Sequence, residues 1–110
     1  MSTYKAVFSD IDGTLLTSEH IVSTATIEAI ASLQDKNIPF VIISSRSASC
    51  IYPILEKHHF QCPIVACGGA WIEDMNGRIL SNEGMSKQTA ATVIEFMTEK
   101  KFDLAWGIYS

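Results

Sequence analysis

The chain has 110 residues, 47% of them hydrophobic and 9% aromatic, so it is one domain at most, with enough apolar surface for a single core. Its net charge of −4 excludes a nucleic-acid partner, because the eight Lys and Arg residues are scattered singly apart from Lys100-Lys101 and make no basic face. No apolar run approaches the length of a membrane span, and the opening MSTYKAVFSD lacks the charged start and long apolar stretch of a secretion signal.

Residues 4–9 have the apolar centre of a short strand covered on both faces. The run ends in Asp10-Ile11-Asp12-Gly13-Thr14, and a polar stretch continues to His20. Ser23 or Thr24 caps a helix in which Ile27, Ile30 and Leu33 recur at helical spacing; Asn37 stops it and Pro39 argues against continuation. Residues 40–44, rich in β-branched side chains, form a second buried strand. A second helix covers residues 48–58, apolar at Ile51, Ile54 and Leu55, and Pro53 suits a first turn, which would delay its regular part to near Tyr52.

Residues 63–67 give a third buried strand closed by Gly68-Gly69. Residues 70–73 and 78–81 flank Met75-Asn76-Gly77, and the Asn-Gly pair predicts a hairpin. A third helix over residues 86–101 carries Ala90, Val93, Ile94 and Met97 on one stripe, and residues 102–110 alternate enough to begin a further strand. Cys50, Cys62 and Cys67 are odd in number and lack metal-binding spacing, which fits reduced thiols with packing roles in a cytoplasmic protein.

The βαβαβ order predicts an α/β fold with a Rossmann-like parallel sheet and right-handed crossovers. Ligands of such sheets sit beyond the carboxyl ends of the strands. Asp10 and Asp12 follow the first strand, Ser44-Ser45-Arg46 the second and Gly68-Gly69 the third, so the three clusters share one edge.

Two aspartates two positions apart repel unless a cation joins them, and phosphoryl transfer is the chemistry that fits. Asp10, ionised at neutral pH, is a candidate nucleophile that forms an aspartyl-phosphate. Attack of one anion on another calls for Mg²⁺ between them, a hard ion that takes one or two carboxylates and keeps several waters. Asp12, beside an anionic neighbour, should hold its proton more readily and act as general acid and base. Gly13 lets the backbone approach the phosphate, Thr14 offers a hydroxyl or amide, Ser44 and the adjoining amides at Ser45 offer donors, and Arg46 offers a bidentate grip on an anion. A lone Asp after a strand is ordinarily a solvated loop residue. The whole Asp-x-Asp-Gly-Thr string has chance odds on the order of one in a thousand for a chain this long. His58 and His59 are placed at a helix C-terminus, His20 in a loop, and Trp71 and the methionines in packing.

The string Asp10-Ile11-Asp12-Gly13-Thr14-Leu15-Leu16, followed by the strand ending in Ser44-Ser45-Arg46, resembles the haloacid dehalogenase superfamily of phosphohydrolases, in the branch that acts on sugar phosphates and carries an α/β cap. The second motif of that branch usually reads Thr-Gly-Arg, so the Gly is lost here; Gly68-Gly69-Ala70 is similar to its Asn-Gly-Ala, with Asn replaced. The resemblance implies Asp10 as nucleophile, Asp12 as general acid/base, Ser44 as phosphate binder, and Mg²⁺ held by the Asp10 carboxylate and the Asp12 backbone carbonyl. It also implies an N-terminal core portion with its hairpin over residues 1–81 and the beginning of the cap over 82–110. The family's later Lys and Gly-Asp pair lie beyond this sequence, an absence expected to impair the chemistry. An open sheet edge predicts self-association. A small phosphorylated metabolite is the expected partner. An inactive fragment serving as a binding domain, and a phosphomutase or phosphotransferase, are the alternatives. A receiver domain is disfavoured by Cys67-Gly68 where its Asp belongs, and a nucleotide-binding module by the lack of a phosphate-binding Gly-rich loop.

Overall fold

The computed structural model describes residues 3–101, 103 and 105–108. The elements run β1 (Val7–Ser9), α1 (Thr24–Asp35), β2 (Phe40–Ile43), α2 (Ala48–Lys57), β3 (Ile64–Ala66), β4 (Trp71–Glu73), β5 (Ile79–Asn82) and α3 (Lys87–Glu99). They form a five-stranded sheet in the order β1-β2-β3-β4-β5. The first three strands are parallel, with Phe8 opposite Val41 and Ile42 opposite Ile64, whereas β4 and β5 add on antiparallel. The sheet is therefore Rossmann-like in its first half, as its βαβαβ order requires, and hairpin-extended in its second.

Local chemistry sets each boundary. The Ser23 hydroxyl accepts from the Thr26 N–H at 3.2 Å and starts α1. Asn37 ends it in the left-handed region (φ 55°), where the Ile38 N–H reaches back to the Leu33 carbonyl at 2.9 Å. α2 is regular from Ala48, so Pro53 lies inside it rather than in its first turn. Burial of Ile51, with Ile54 and Leu55 packed against the core, outweighs the one backbone bond the proline removes. The hairpin turn is organised by Asp74, whose Oδ1 accepts from both the Asn76 and Arg78 N–H groups at 2.9 Å. Gly77, at φ 80°, completes that turn.

Both βαβ crossovers step the same way across the sheet, so their shared hand lays α1 and α2 over one face. Phe40, Ile42, Ile64 and Ala66 on that face meet Ile30 of α1 and Ile51 of α2, and Ile11, Leu15, Leu16 and Val22 close the core. The opposite face departs from the expectation of strands buried on both sides: Phe8 is 61% exposed and Ile43 40%. The stripe on α3 is not buried either: Val93 is exposed, Ala90, Ile94 and Met97 are half-buried, and no residue of the helix is buried. Cys50, Met75 and Met85 are exposed rather than packed, while Cys62 is buried. Of the strand expected over residues 102–110, positions 102, 104, 109 and 110 lie outside the described residues, and the described positions among them form no strand. No described helix is long and apolar enough to cross a membrane.

His58 does more than decorate the end of α2. Its Nε2 accepts from the Val22 N–H at 3.3 Å, tying the helix to the loop before α1. Partial burial, then the neighbouring Lys57 and His59, hold its proton affinity below the ordinary value of 6.5. The unfolded chain thus binds this proton more readily than the folded one. The stability contributed by neutral His58 is complete above the unfolded value and is lost as pH falls through the depressed folded value. The urea midpoint of the wild type should drop between about pH 7 and about pH 5, and His58→Gln should flatten that drop.

Candidate active site

Three loops leave the carboxyl ends of β1, β2 and β3 on one edge of the sheet. The first starts at Asp10, whose Oδ1 accepts from the Ile11 N–H at 2.7 Å. The chain then turns tightly over Ile11–Leu15, with the Leu16 N–H bonded to the Ile11 carbonyl at 3.1 Å. Ile11 and Leu15 are buried, so the turn is pinned from beneath while Asp10, Asp12, Gly13 and Thr14 stay at the surface. Gly13 takes φ 74° there, a left-handed conformation that costs other residues about 1–2 kcal/mol.

The second loop is held by Ser44, which is buried at the end of β2. Its N–H donates to the Val65 carbonyl at 2.9 Å and its Oγ accepts from the Arg46 N–H at 3.0 Å, which leaves the hydroxyl proton to be given elsewhere. The third loop laces onto the second: the Cys67 N–H donates to the Arg46 carbonyl at 2.8 Å and the Gly68 N–H to the Ser44 carbonyl at 3.0 Å. Cys67, Gly68 and Gly69 take positive φ in succession, the contortion that lets these amides turn back. This lacing was not legible in the sequence beyond the Gly68-Gly69 pair.

One ion pair joins the first loop to the second. Arg46 donates from Nη2 to Asp12 Oδ1 at 2.6 Å and from Nε to Oδ2 at 2.9 Å, a bidentate fork. The hydrogen bond from Arg46 holds the Asp12 carboxyl below the usual carboxylate range and raises the guanidinium in turn. The expectation that Asp12 retains its proton more readily is thereby reversed: a contacting cation outweighs a nearby like charge. Arg46 accordingly grips a carboxylate of its own chain in this structure. Asp12, Ser44 and Arg46 are thus linked through hydrogen bonds, whereas the side chains of Thr14 and Ser45 are exposed and make none among the described residues.

The donor set suits a hard cation in kind. Asp10 is exposed, and its Oδ2 receives no hydrogen bond from a described residue. Mg²⁺, which takes one or two carboxylates and retains water, matches such a sparse set. No group of three or more His, Cys, Asp or Glu able to hold a metal exists among the described residues.

Residues 7–109 match the sequence profile of the haloacid dehalogenase-like hydrolases. The chain belongs to that family. It is 47% identical over 73 residues to a Haemophilus influenzae protein provisionally named a phosphatase, a match covering 66% of this chain and 28% of that protein. Pyridoxal phosphate phosphatase YbhA of Escherichia coli is 26% identical over 98 residues, or 88% of this chain and 36% of the enzyme. Among solved structures, a haloacid dehalogenase-like hydrolase from Bacillus subtilis superposes with a TM-score of 0.83 at 28% identity, covering 88% of this chain and 34% of that one. The chain therefore spans about a third of the length of the haloacid dehalogenase-like relatives it matches.

Removing the guanidinium should release Asp12. In Arg46→Ala, the carboxyl titration of Asp12, followed by ¹³C NMR, should move up toward the ordinary value of 3.8, with no comparable movement at the distant Asp74. An unmoved Asp12 would show that the fork does not persist in solution.

Proposed function

We propose that this edge is the phosphoryl-transfer site of a Mg²⁺-dependent phosphatase acting on small phosphorylated metabolites, sugar phosphates or compounds like them. The observation that carries this reading is the convergence, in a haloacid dehalogenase-like chain, of Asp10 and Asp12 on the first loop with Ser44 and Arg46 on the second, which is itself laced to the third. The name of the Escherichia coli relative, a pyridoxal phosphate phosphatase, supports a small phosphorylated substrate.

In the proposed mechanism Asp10 Oδ2 attacks phosphorus, the bond from phosphorus to the leaving oxygen breaks, and an aspartyl-phosphate forms. The leaving oxygen takes a proton from Asp12. In the second step Asp12 accepts a proton from the water that attacks phosphorus, the bond from phosphorus to Asp10 Oδ2 breaks, and phosphate and the Asp10 carboxylate are released. The Ser44 hydroxyl donates to a phosphate oxygen, with Gly13 and Thr14 lying along the same approach. Asp10 and the Asp12 backbone would hold Mg²⁺, whose charge offsets the repulsion between nucleophile and phosphate.

Arg46 has two anions to choose between. While paired with Asp12 it keeps that carboxyl ionised, the state needed to accept a proton. A phosphate that draws the guanidinium away and sets its own negative charge beside Asp12 raises that carboxyl's affinity for a proton, the state needed for the first step. The fork thus couples substrate arrival to the charge of the acid.

Two further expectations accompany this reading. The free thiols of Cys50, Cys62 and Cys67 support a reducing, cytoplasmic setting. β1 has a pairing partner on one side only among the described strands, which supports self-association through its open edge. A molar mass by light scattering that stays monomeric across a hundredfold range of concentration, on the order used to detect weak dimers, would remove the latter.

The catalytic test is Mg²⁺-dependent release of phosphate from p-nitrophenyl phosphate. Asp10→Asn should lower the rate by at least about a thousandfold, as loss of a nucleophile does. Turnover unaffected by that change would remove Asp10 as the nucleophile, and turnover absent from the wild type in Mg²⁺ would leave a binding domain in place of the enzyme.

A further inference from the structure

The end of the sheet opposite Asp10 holds a buried carboxyl group that the phosphatase reading does not use. Glu73 closes β4 opposite Ile64, the first residue of β3, and is 3% exposed. Two donors serve it: the Tyr52 hydroxyl from α2, and the Trp71 indole Nε1–H at 2.8 Å. Both go to the same oxygen, Oε1. Oε2 receives no hydrogen bond from any described residue.

An ionised oxygen so placed would be costly if it were sealed in protein. It is not sealed, because no enclosed side-chain oxygen or nitrogen among the described residues lacks a partner. Oε2 therefore keeps some contact with the surface, and Glu73 lines a concavity of about 900 Å³ between α1, α2 and the hairpin. Glu56 and Asp74 also line it, and His59 is the one basic side chain there among the described residues, with no Lys or Arg. Asp74 is already committed to the hairpin amides. Leu55 and Met75 supply apolar wall. The Tyr52 hydroxyl is pushed up to about 12 by its bond to Glu73, so it remains a donor to Oε1.

An acidic, partly apolar concavity with one preset carboxylate oxygen and no competing Lys or Arg matches a single class of ligand. We propose that this pocket binds a small organic ammonium compound, its cationic nitrogen on Glu73 Oε2 and its carbon chain against Leu55 and Met75. A hydrated metal ion is a poorer occupant, because no cluster of three or more metal-ligating side chains surrounds that oxygen. The site stands apart from the phosphoryl-transfer edge and does not depend on it.

The probe is n-butylammonium chloride, titrated into the full chain at about 0.15 M salt so that loose surface attraction is screened. The reporter is the Trp71 indole N–H resonance, which shares Glu73 Oε1, and the exposed Trp106 indole is the internal control. Saturable movement at Trp71 but not at Trp106, absent with 1-butanol, is the expected result. Glu73→Gln, which keeps an acceptor for Tyr52 and Trp71, should weaken binding at least about tenfold. Should that variant not fold, Ala31→Phe, which narrows the pocket from the exposed side of α1, should give the same loss with Glu73 intact. A non-saturable response, an equal response to 1-butanol, or unchanged affinity in a folded variant overturns the proposal. None of these readouts involves phosphate release, so failure here and failure of Asp10→Asn to silence turnover are separate outcomes.

Discussion

The handedness of two chain crossovers governs this molecule. β1, β2 and β3 run parallel, so the loops that follow these three strands emerge on one edge, and the right-handed crossover rule sets where the helices between them lie. Residues far apart in sequence, Asp12 and Arg46 among them, then need only short side-chain reach to meet. The same rule lays α1 and α2 over a single face, since the strands are added in one direction. Core and bare face follow from that steric preference, and the edge from parallel pairing.

On that edge the balance of charge is set by contact. Two aspartates in close sequence invite an account based on mutual repulsion, yet the guanidinium fork on Asp12 is nearer and directional, and its effect has the opposite sign. Both partners are partly solvated, with 34% and 55% of their side chains exposed, so the pair is a weak clamp that an arriving dianion can compete for. Strength is found instead in the backbone lacing of Ser44, Arg46, Cys67 and Gly68, which fixes the positions between which the side chains move.

Much of this was legible in the residues. Helical spacing of Ile27, Ile30 and Leu33, the Ser23 cap, the Asn37 stop and the Asn-Gly turn each reflect local chemistry, and each appears where that chemistry puts it. The shared edge followed from element order alone. What escaped was set by distance through space. Nothing local distinguishes Phe8 or Ile43 from a core residue, because exposure depends on what covers the other side of the sheet. Pro53 reads as a helix start until the packing of Ile51 is known. The fork from Arg46 to Asp12 and the Val22 bond to His58 join different elements, and no spacing encodes them.

The uncovered side of the sheet has a thermodynamic signature. The chain leaves 8165 Å² in contact with solvent, against about 6000 Å² for a compact protein of its mass. Less apolar area withdrawn from water means a smaller heat-capacity increment on melting and a shallower response to denaturant. The curve of free energy against temperature is flattened accordingly, so warming and cooling alter the folded population more gently than they do for a fully covered domain of equal length.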